Sequence, residues 1–152
     1  MRLVKVNNEF YKKCTQNNTT EELMFNEQGR PCVLIVRLKY KNKKRDFIVP
    51  LRSNIPASAS TWQYFSLPPN NNTKPGNKHG IHYIKLFPIS KKYINKYNIN
   101  NNEFFKIISE KISNNQKEII DACQKYLVDC ELGKKHPMTP NIDGILEWID
   151  NE

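Results

Sequence analysis

Arg52-Ser53 and the run Lys74-Pro75-Gly76-Asn77-Lys78-His79-Gly80-Ile81-His82, with Lys85 three residues further on, carry the side chains best suited to chemistry in this chain. Together they supply cations, a hydroxyl and two imidazoles. Opening a ribonucleic phosphodiester with those groups alone needs three roles filled. One group takes the 2′-OH proton, donors hold the charge that builds on phosphorus, and an acid protonates the leaving 5′-oxygen. A histidine with its ordinary pKa near ~6.5 can give or take that proton at neutral pH. Arg52, Lys74, Lys78 and Lys85 would neutralise the phosphate, and Ser53 would donate to one of its oxygens. A lysine crowded by other cations could also act as base, because its protonated form is disfavoured there. The bland alternative stays open: His79 and His82 would suit a solvated or core-satisfied position just as well. A metal needs a third ligand, and neither cysteine nor carboxylate lies in the segment, so no metal and no cofactor is expected.

The charge pattern around these residues points the same way. The chain has 152 residues and a formal net charge of +9. Residues 1–46 sum to +6, residues 47–102 to +7 with no Asp or Glu, and residues 103–152 to −4. An acid-free run of that length is unusual when acids average about one residue in eight. It describes a surface made to face phosphate, where each neutralised charge releases condensed counterions. Paired-carboxylate mechanisms have no local material there, and neither G-x-x-x-x-G-K-[ST] nor G-x-G-x-x-G occurs. The acidic last third should then cover the opposite side. Seven Phe, seven Tyr and two Trp are enough for one core and exclude a disordered polycation. No apolar run approaches the ~20 residues of a membrane span, and the first residues are too polar for a secretory signal, so a cytoplasmic location is expected. Cys14, Cys32, Cys123 and Cys130 lack zinc or C-x-x-C spacing and read as reduced, buried hydrophobes.

The elements that must position these groups read as strands first and helices afterwards. Residues 1–6 form a short strand, and a short helix is possible at 21–25. Residues 32–40 are the strongest strand, apolar on both faces and then alternating. A polar turn at 41–44 returns residues 45–51 as a hairpin partner, and these two strands should be the centre of an antiparallel sheet. Residues 52–80 read as a long irregular connection pinned by Trp62-Gln63-Tyr64-Phe65. Residues 80–89 read as one strand, with His82 on one face and Tyr83 and Lys85 on the other. Helices follow at 103–112, from a cap at Asn114 or Asn115 to Gly133, and at 143–149. The class is α+β, a single domain over residues 1–152.

Arg30-Pro31 before an apolar strand, the hairpin end Phe47-Ile48-Val49-Pro50-Leu51-Arg52-Ser53, a long loop, and Gly80-Ile81-His82-Tyr83-Ile84-Lys85-Leu86-Phe87-Pro88-Ile89 resemble the toxins of type III toxin–antitoxin systems. These are the ToxN/AbiQ-like endoribonucleases, and the His-containing version is most similar to the CptN and TenpN branches. The resemblance implies a bent antiparallel, SH3-like β-barrel wrapped by C-terminal helices. It implies metal-independent cleavage to a 2′,3′-cyclic phosphate, in an abortive-infection type of phage defence. It implies processing of, and inhibition by, a pseudoknot RNA antitoxin, in a cyclic assembly of alternating toxin and RNA. By motif, Arg30 matches the basic residue before the first core strand, Ser53 the hydroxyl of Pro-Leu-x-Ser, and Lys85 the lysine of the later strand. Arg52 stands where ToxN-like members have Thr, and no lysine closely follows Ser53. Arg52 would therefore neutralise the phosphate, and His79 or His82 would move the proton.

On this reading cellular RNA lies across Arg30, Arg52, Ser53, Lys74, Lys78, His79, His82 and Lys85, with bases stacked on Tyr64, Phe65 or Tyr83. Lys39, Lys41, Lys43, Lys44 and Arg45 of the hairpin, with Lys91 and Lys92, extend the groove for the RNA antitoxin. The competing expectation is a non-catalytic basic RNA-binding module on a small β-barrel.

Overall fold

Strand β2 (Val33–Tyr40) organises the molecule. In the computed structural model, which describes residues 1–25, 32–100 and 102–152, it lies at the middle of a five-stranded antiparallel sheet. Its neighbours are β3 (Lys43–Val49) and β1 (Arg2–Val6). Short strands β7 (Phe87–Ile89) and β8 (Ile94–Lys96) close the two edges. The two-faced apolar start of β2 has a direct cause. Leu34, Val36, Leu38 and Tyr40 enter one core cluster, while Val33 and Ile35 enter a second on the other face. Beyond Ile35 that second face is left to Arg37 and Lys39, which are exposed. The hairpin turn needs only Lys41 and Asn42, both at positive φ (49° and 64°), the backbone of a two-residue turn that follows the strand twist.

Helices cover both faces. Helices α2 (Glu103–Asn114) and α3 (Gln116–Glu131) share the first core cluster, and α1 (Asn8–Gln16) enters the second. Helix α4 (Ile142–Asp150) joins both, with Ile142 and Leu146 in the first and Ile145 and Trp148 in the second. Asn7, Asn102 and Asn141 each accept a backbone N–H three residues on, at 3.3, 3.1 and 2.9 Å. Such caps contribute about 1 kcal/mol each. Asn115, expected to cap α3, instead donates through Nδ2 to the Lys111 carbonyl at 2.8 Å and closes α2. No helix among the described residues is long and apolar enough to cross a membrane.

Three expectations are corrected. The short helix at 21–25 is absent, and the first helix is α1, whose buried face is only Phe10, Tyr11 and Cys14. Residues 52–80 are not a structureless loop. They contribute a second, three-stranded sheet of β4 (Leu51–Ile55), β6 (Lys78–His82) and β5 (Tyr64–Leu67), in the order β4-β6-β5. Residues 80–89 are not one strand, because Tyr83–Lys85 form a 3-10 turn between β6 and β7.

These breaks make the bend of the core. Pro50 alone separates β3 from β4, so one line of chain leaves the first sheet and enters the second, and the His82 N–H donates to the Pro50 carbonyl at 3.0 Å across the corner. The result is the bent antiparallel β core with C-terminal helices that an α+β reading requires. At the centre of the second sheet, Gly80 pairs with Arg52 on one side and Ser66 on the other. A Cβ there would lie 2.5 Å from the Phe65 carbonyl oxygen. Gly80→Ala is therefore expected to cost about 1–3 kcal/mol, read as a lowered urea midpoint. An unchanged midpoint would mean that β5 and β6 can part there freely.

Candidate functional site

Strand β4 carries Arg52 onto the same face of the second sheet as His82. Arg52 pairs with Gly80, and His82 lies two residues further along β6, so the two side chains are diagonal neighbours. The 3-10 turn after β6 takes Lys85 out of the strand. Its Nζ donates to the Glu22 carboxylate at 2.8 Å and to the Glu22 backbone carbonyl at 3.1 Å. Glu22 adopts φ 58°, a left-handed backbone uncommon for glutamate, and the doubled bond from Lys85 holds it there. Its carboxyl is held below the usual range, first by that hydrogen bond and charge from Lys85, then by the charges of Arg52 and His136. Lys85, on the turn after β6, thus meets Glu22 directly, and the charge of Arg52 on β4 reaches the same carboxylate. Arg30 lies outside the described residues.

The histidines divide by accessibility. His82 is 1% exposed, and neither ring nitrogen meets a protein partner among the described residues. Burial, followed by the charges of Arg52, Lys85 and His136, lowers its pKa to about 3, so the ring is neutral at pH 7. His79 is also buried. Its Nδ1 lies 2.6 Å from the Pro68 carbonyl, which makes Nδ1 the protonated nitrogen, and its ring stacks on Phe104 at 6.0 Å. Burial lowers its pKa as well. His136 is only half-buried, and its Nδ1 accepts the Met138 N–H at 3.1 Å, so Nε2 carries the proton of the neutral ring. The sequence reading passed over both His136 and Glu22. Glu22 lies 63 positions before its partner Lys85, and no local spacing announces that pairing. Although residues 47–102 lack acids, the fold supplies one to their basic face.

The remaining residues fall into two groups. Ser53, next to Arg52, accepts from the Asn70 side chain at 2.8 Å. The Asn54 side chain accepts the Lys74 N–H at 2.8 Å and donates to the Asn72 carbonyl at 2.8 Å. These asparagines dock the β5–β6 connection on β4, and Lys74 and Lys78 stand exposed on it. The hairpin group is elsewhere. Arg45 forms a two-pronged pair with Asp150 (2.8 and 2.7 Å), Lys41 pairs with Asp143 (3.1 Å) and Lys92 with Glu152 (2.5 Å). The acidic C-terminal third therefore lies against these basic residues instead of across the domain from them. Lys39, Lys43, Lys44 and Lys91 are exposed near the same hairpin and edge. Gln124 of α3 bonds both the N–H and the carbonyl of Lys39, each at 2.8 Å, so β2 is capped where β1 no longer covers it.

The aromatic residues also divide. Phe65 is packed in the core, Tyr83 is buried at the edge of a groove, and Tyr64 is half-buried opposite His82. Among the described residues no cluster of three or more His, Cys, Asp or Glu side chains could hold a metal ion. Cys14, Cys32, Cys123 and Cys130 are free thiols, and burial raises the pKa of each.

No family profile matches the chain, and no curated protein does. Among solved structures it is similar to one described by the words "A processed non-coding RNA regulates a bacterial antiviral system". The two share 15% identity with a TM-score of 0.69, over 97% of this chain and 96% of the other. At that identity the likeness establishes a shared fold from end to end.

Proposed function

We propose that this chain is a metal-independent endoribonuclease toxin of a type III, RNA-antitoxin defence system. The observation that carries the reading is Lys85 held on the Glu22 carboxylate at 2.8 Å, with Arg52 the diagonal neighbour of His82 on the adjoining strand. A lysine paired with a carboxylate, with an arginine whose charge reaches the same group, suits a phosphate, and the Glu22 carboxylate holds the place of that phosphate when RNA is absent. Arg52 and Lys85 would neutralise the scissile phosphate, while Ser53, the next residue of the strand, is turned to Asn70. His136, the histidine with open ring surface, would move the proton. His82 beneath them stays uncharged and His79 fixes β6 to the preceding turn, so both act as positioning residues. Cleavage would follow 2′-OH attack, leaving a 2′,3′-cyclic phosphate and a free 5′-hydroxyl. The end-to-end likeness to a protein from an RNA-regulated antiviral system supports the setting, as does the resemblance of the Pro50-Leu51-Arg52-Ser53 segment to the toxins. In that setting the inhibitor is a pseudoknot RNA cut from its precursor by the toxin, and the two alternate in a ring.

The sealing of His79 and His82 favours a second reading, a basic RNA-binding module without chemistry. One experiment separates them. The purified chain is incubated with RNA in excess chelator and the new 3′ ends are examined for cyclic phosphate. Cleavage is expected to persist, and His136→Ala to slow it by about 10²-fold or more. Salt-sensitive RNA binding with no cleavage under any condition would leave only the second reading.

A further inference from the structure

A groove of about 500 Å³, a size typical of small-ligand pockets, is lined by Trp62, Tyr64, Tyr83 and helix α3. Trp62 is 54% exposed, an unusual state for so large an apolar ring. Its ring leans on Tyr126 at 5.8 Å and 34°. The Tyr126 hydroxyl is fixed in turn by Thr139 and by the His136 N–H (2.9 Å), so the aromatic platform is rigid before anything binds. Helix α3 lines the groove with Glu118, Lys125 and Asp129, which recur on one face. Tyr64, on the other wall, lies directly across the sheet from His82. The groove therefore begins one cross-strand step from the cationic hollow.

An aromatic floor with carboxylates at its rim fits a flat ring whose edge offers N–H donors. With two carboxylates, Glu118 and Asp129, against the single ammonium of Lys125 the rim is net acidic, which disfavours a phosphate. We infer that the groove lined by Trp62, Tyr64 and helix α3 holds one unstacked, amino-bearing nucleobase, stacked on the face of Trp62 that Tyr126 leaves open, with its amino group toward a rim carboxylate. Uracil, which presents carbonyls in place of that amino group, is disfavoured, because an acceptor would face an acceptor. Resting on the ribonuclease reading, the inference adds that this base flanks the scissile phosphate and sets the sequence at which the chain cuts.

Two arms test it. Trp148, the other tryptophan, is buried and donates to Thr19, so quenching of fluorescence by free nucleosides reports on Trp62. Adenosine or cytidine should quench at concentrations about tenfold below uridine, and Trp62→Leu should abolish the response. The double variant Glu118→Gln, Asp129→Asn should erase the preference while keeping the quench. In the second arm, ends produced from a mixed-sequence RNA are mapped. Trp62→Ala should raise KM by about tenfold or more and loosen the preference at one position beside the cut. Cleavage by the parent with no quenching and unchanged ends in Trp62→Ala overturns the groove assignment. Equal quenching by all nucleosides overturns the role of the rim. Selective quenching without any cleavage supports the base site and removes the ribonuclease reading instead.

Discussion

Arg52→Ala is expected to lower RNA cleavage by about 10²–10³-fold with the fold intact, the loss typical when one donor to a developing oxyanion is removed. The cause is placement. Arg52 stands diagonal to His82 on β4, its charge reaches Glu22 together with that of Lys85, and it adjoins Ser53. A charge at the point where the phosphate becomes more negative acts on the transition state more than on binding. The fall should therefore appear in kcat as well as in KM. Arg52→Lys keeps the charge and loses the planar, two-pronged geometry, so it should recover only part of the rate. Lys74→Ala offers the contrast. Its side chain is exposed at the edge of the docked connection, so it should weaken binding a few-fold and flatten the salt dependence by about one unit without touching kcat. Single-turnover rates and circular dichroism on each variant decide the matter. If Arg52→Ala cleaves like the parent, the reacting phosphate does not sit in this hollow.

The legible parts of the fold are those whose signals are local. Val33–Tyr40 shows itself by an unbroken apolar run that turns into alternation, and the two core clusters on either side explain both halves. Helices α2, α3 and α4 follow from repeating apolar positions, and α2 also from its asparagine cap. Helix α1 escapes because three buried residues amid Lys and Asn leave too thin a stripe. The second sheet escapes because its strands are four or five residues long and lie among prolines that read as punctuation. Arg52, Ser53, His82 and Lys85 stand out as residue types in a carboxylate-free stretch, but burial is a property of the packed sheet. No spacing rule tells an exposed imidazole from one sealed under β4 and β6. Glu22 comes from outside that stretch and meets it through Lys85, 63 positions later in the chain. Local chemistry thus marks the cations, while the anion they surround is a tertiary fact.

Acidification from pH 6.5 to 4.5 is expected to destabilise the chain by about 2–3 kcal/mol, through His82 above all. The sign follows from proton counting. In the unfolded chain this imidazole titrates near ~6.5, whereas burial beside Arg52 and Lys85 holds it to about 3 when folded. Between those values the unfolded state binds a proton that the native state refuses, so stability is complete above the upper value and drains away as the pH falls toward the lower one. His79, lowered by burial, adds in the same direction. The carboxylates held low by cations (Glu22, Asp143, Asp150 and Glu152) also lose stability in acid, but only once the pH nears their unfolded values around ~4. The interval from 6.5 to 4.5 therefore isolates the histidines. His82→Leu should flatten the slope there and leave the variant more stable than the parent at pH 5, because an apolar side chain replaces a buried polar ring whose nitrogens have no protein partner among the described residues. Urea midpoints measured at half-unit steps would show this. A flat parental curve over that interval would mean that His82 is hydrated in solution and that the floor of the hollow is open to water. A steep curve that His82→Leu flattens, with cleavage lost in the same variant, would show a neutral imidazole kept at a cost in stability beneath the cations that grip the phosphate.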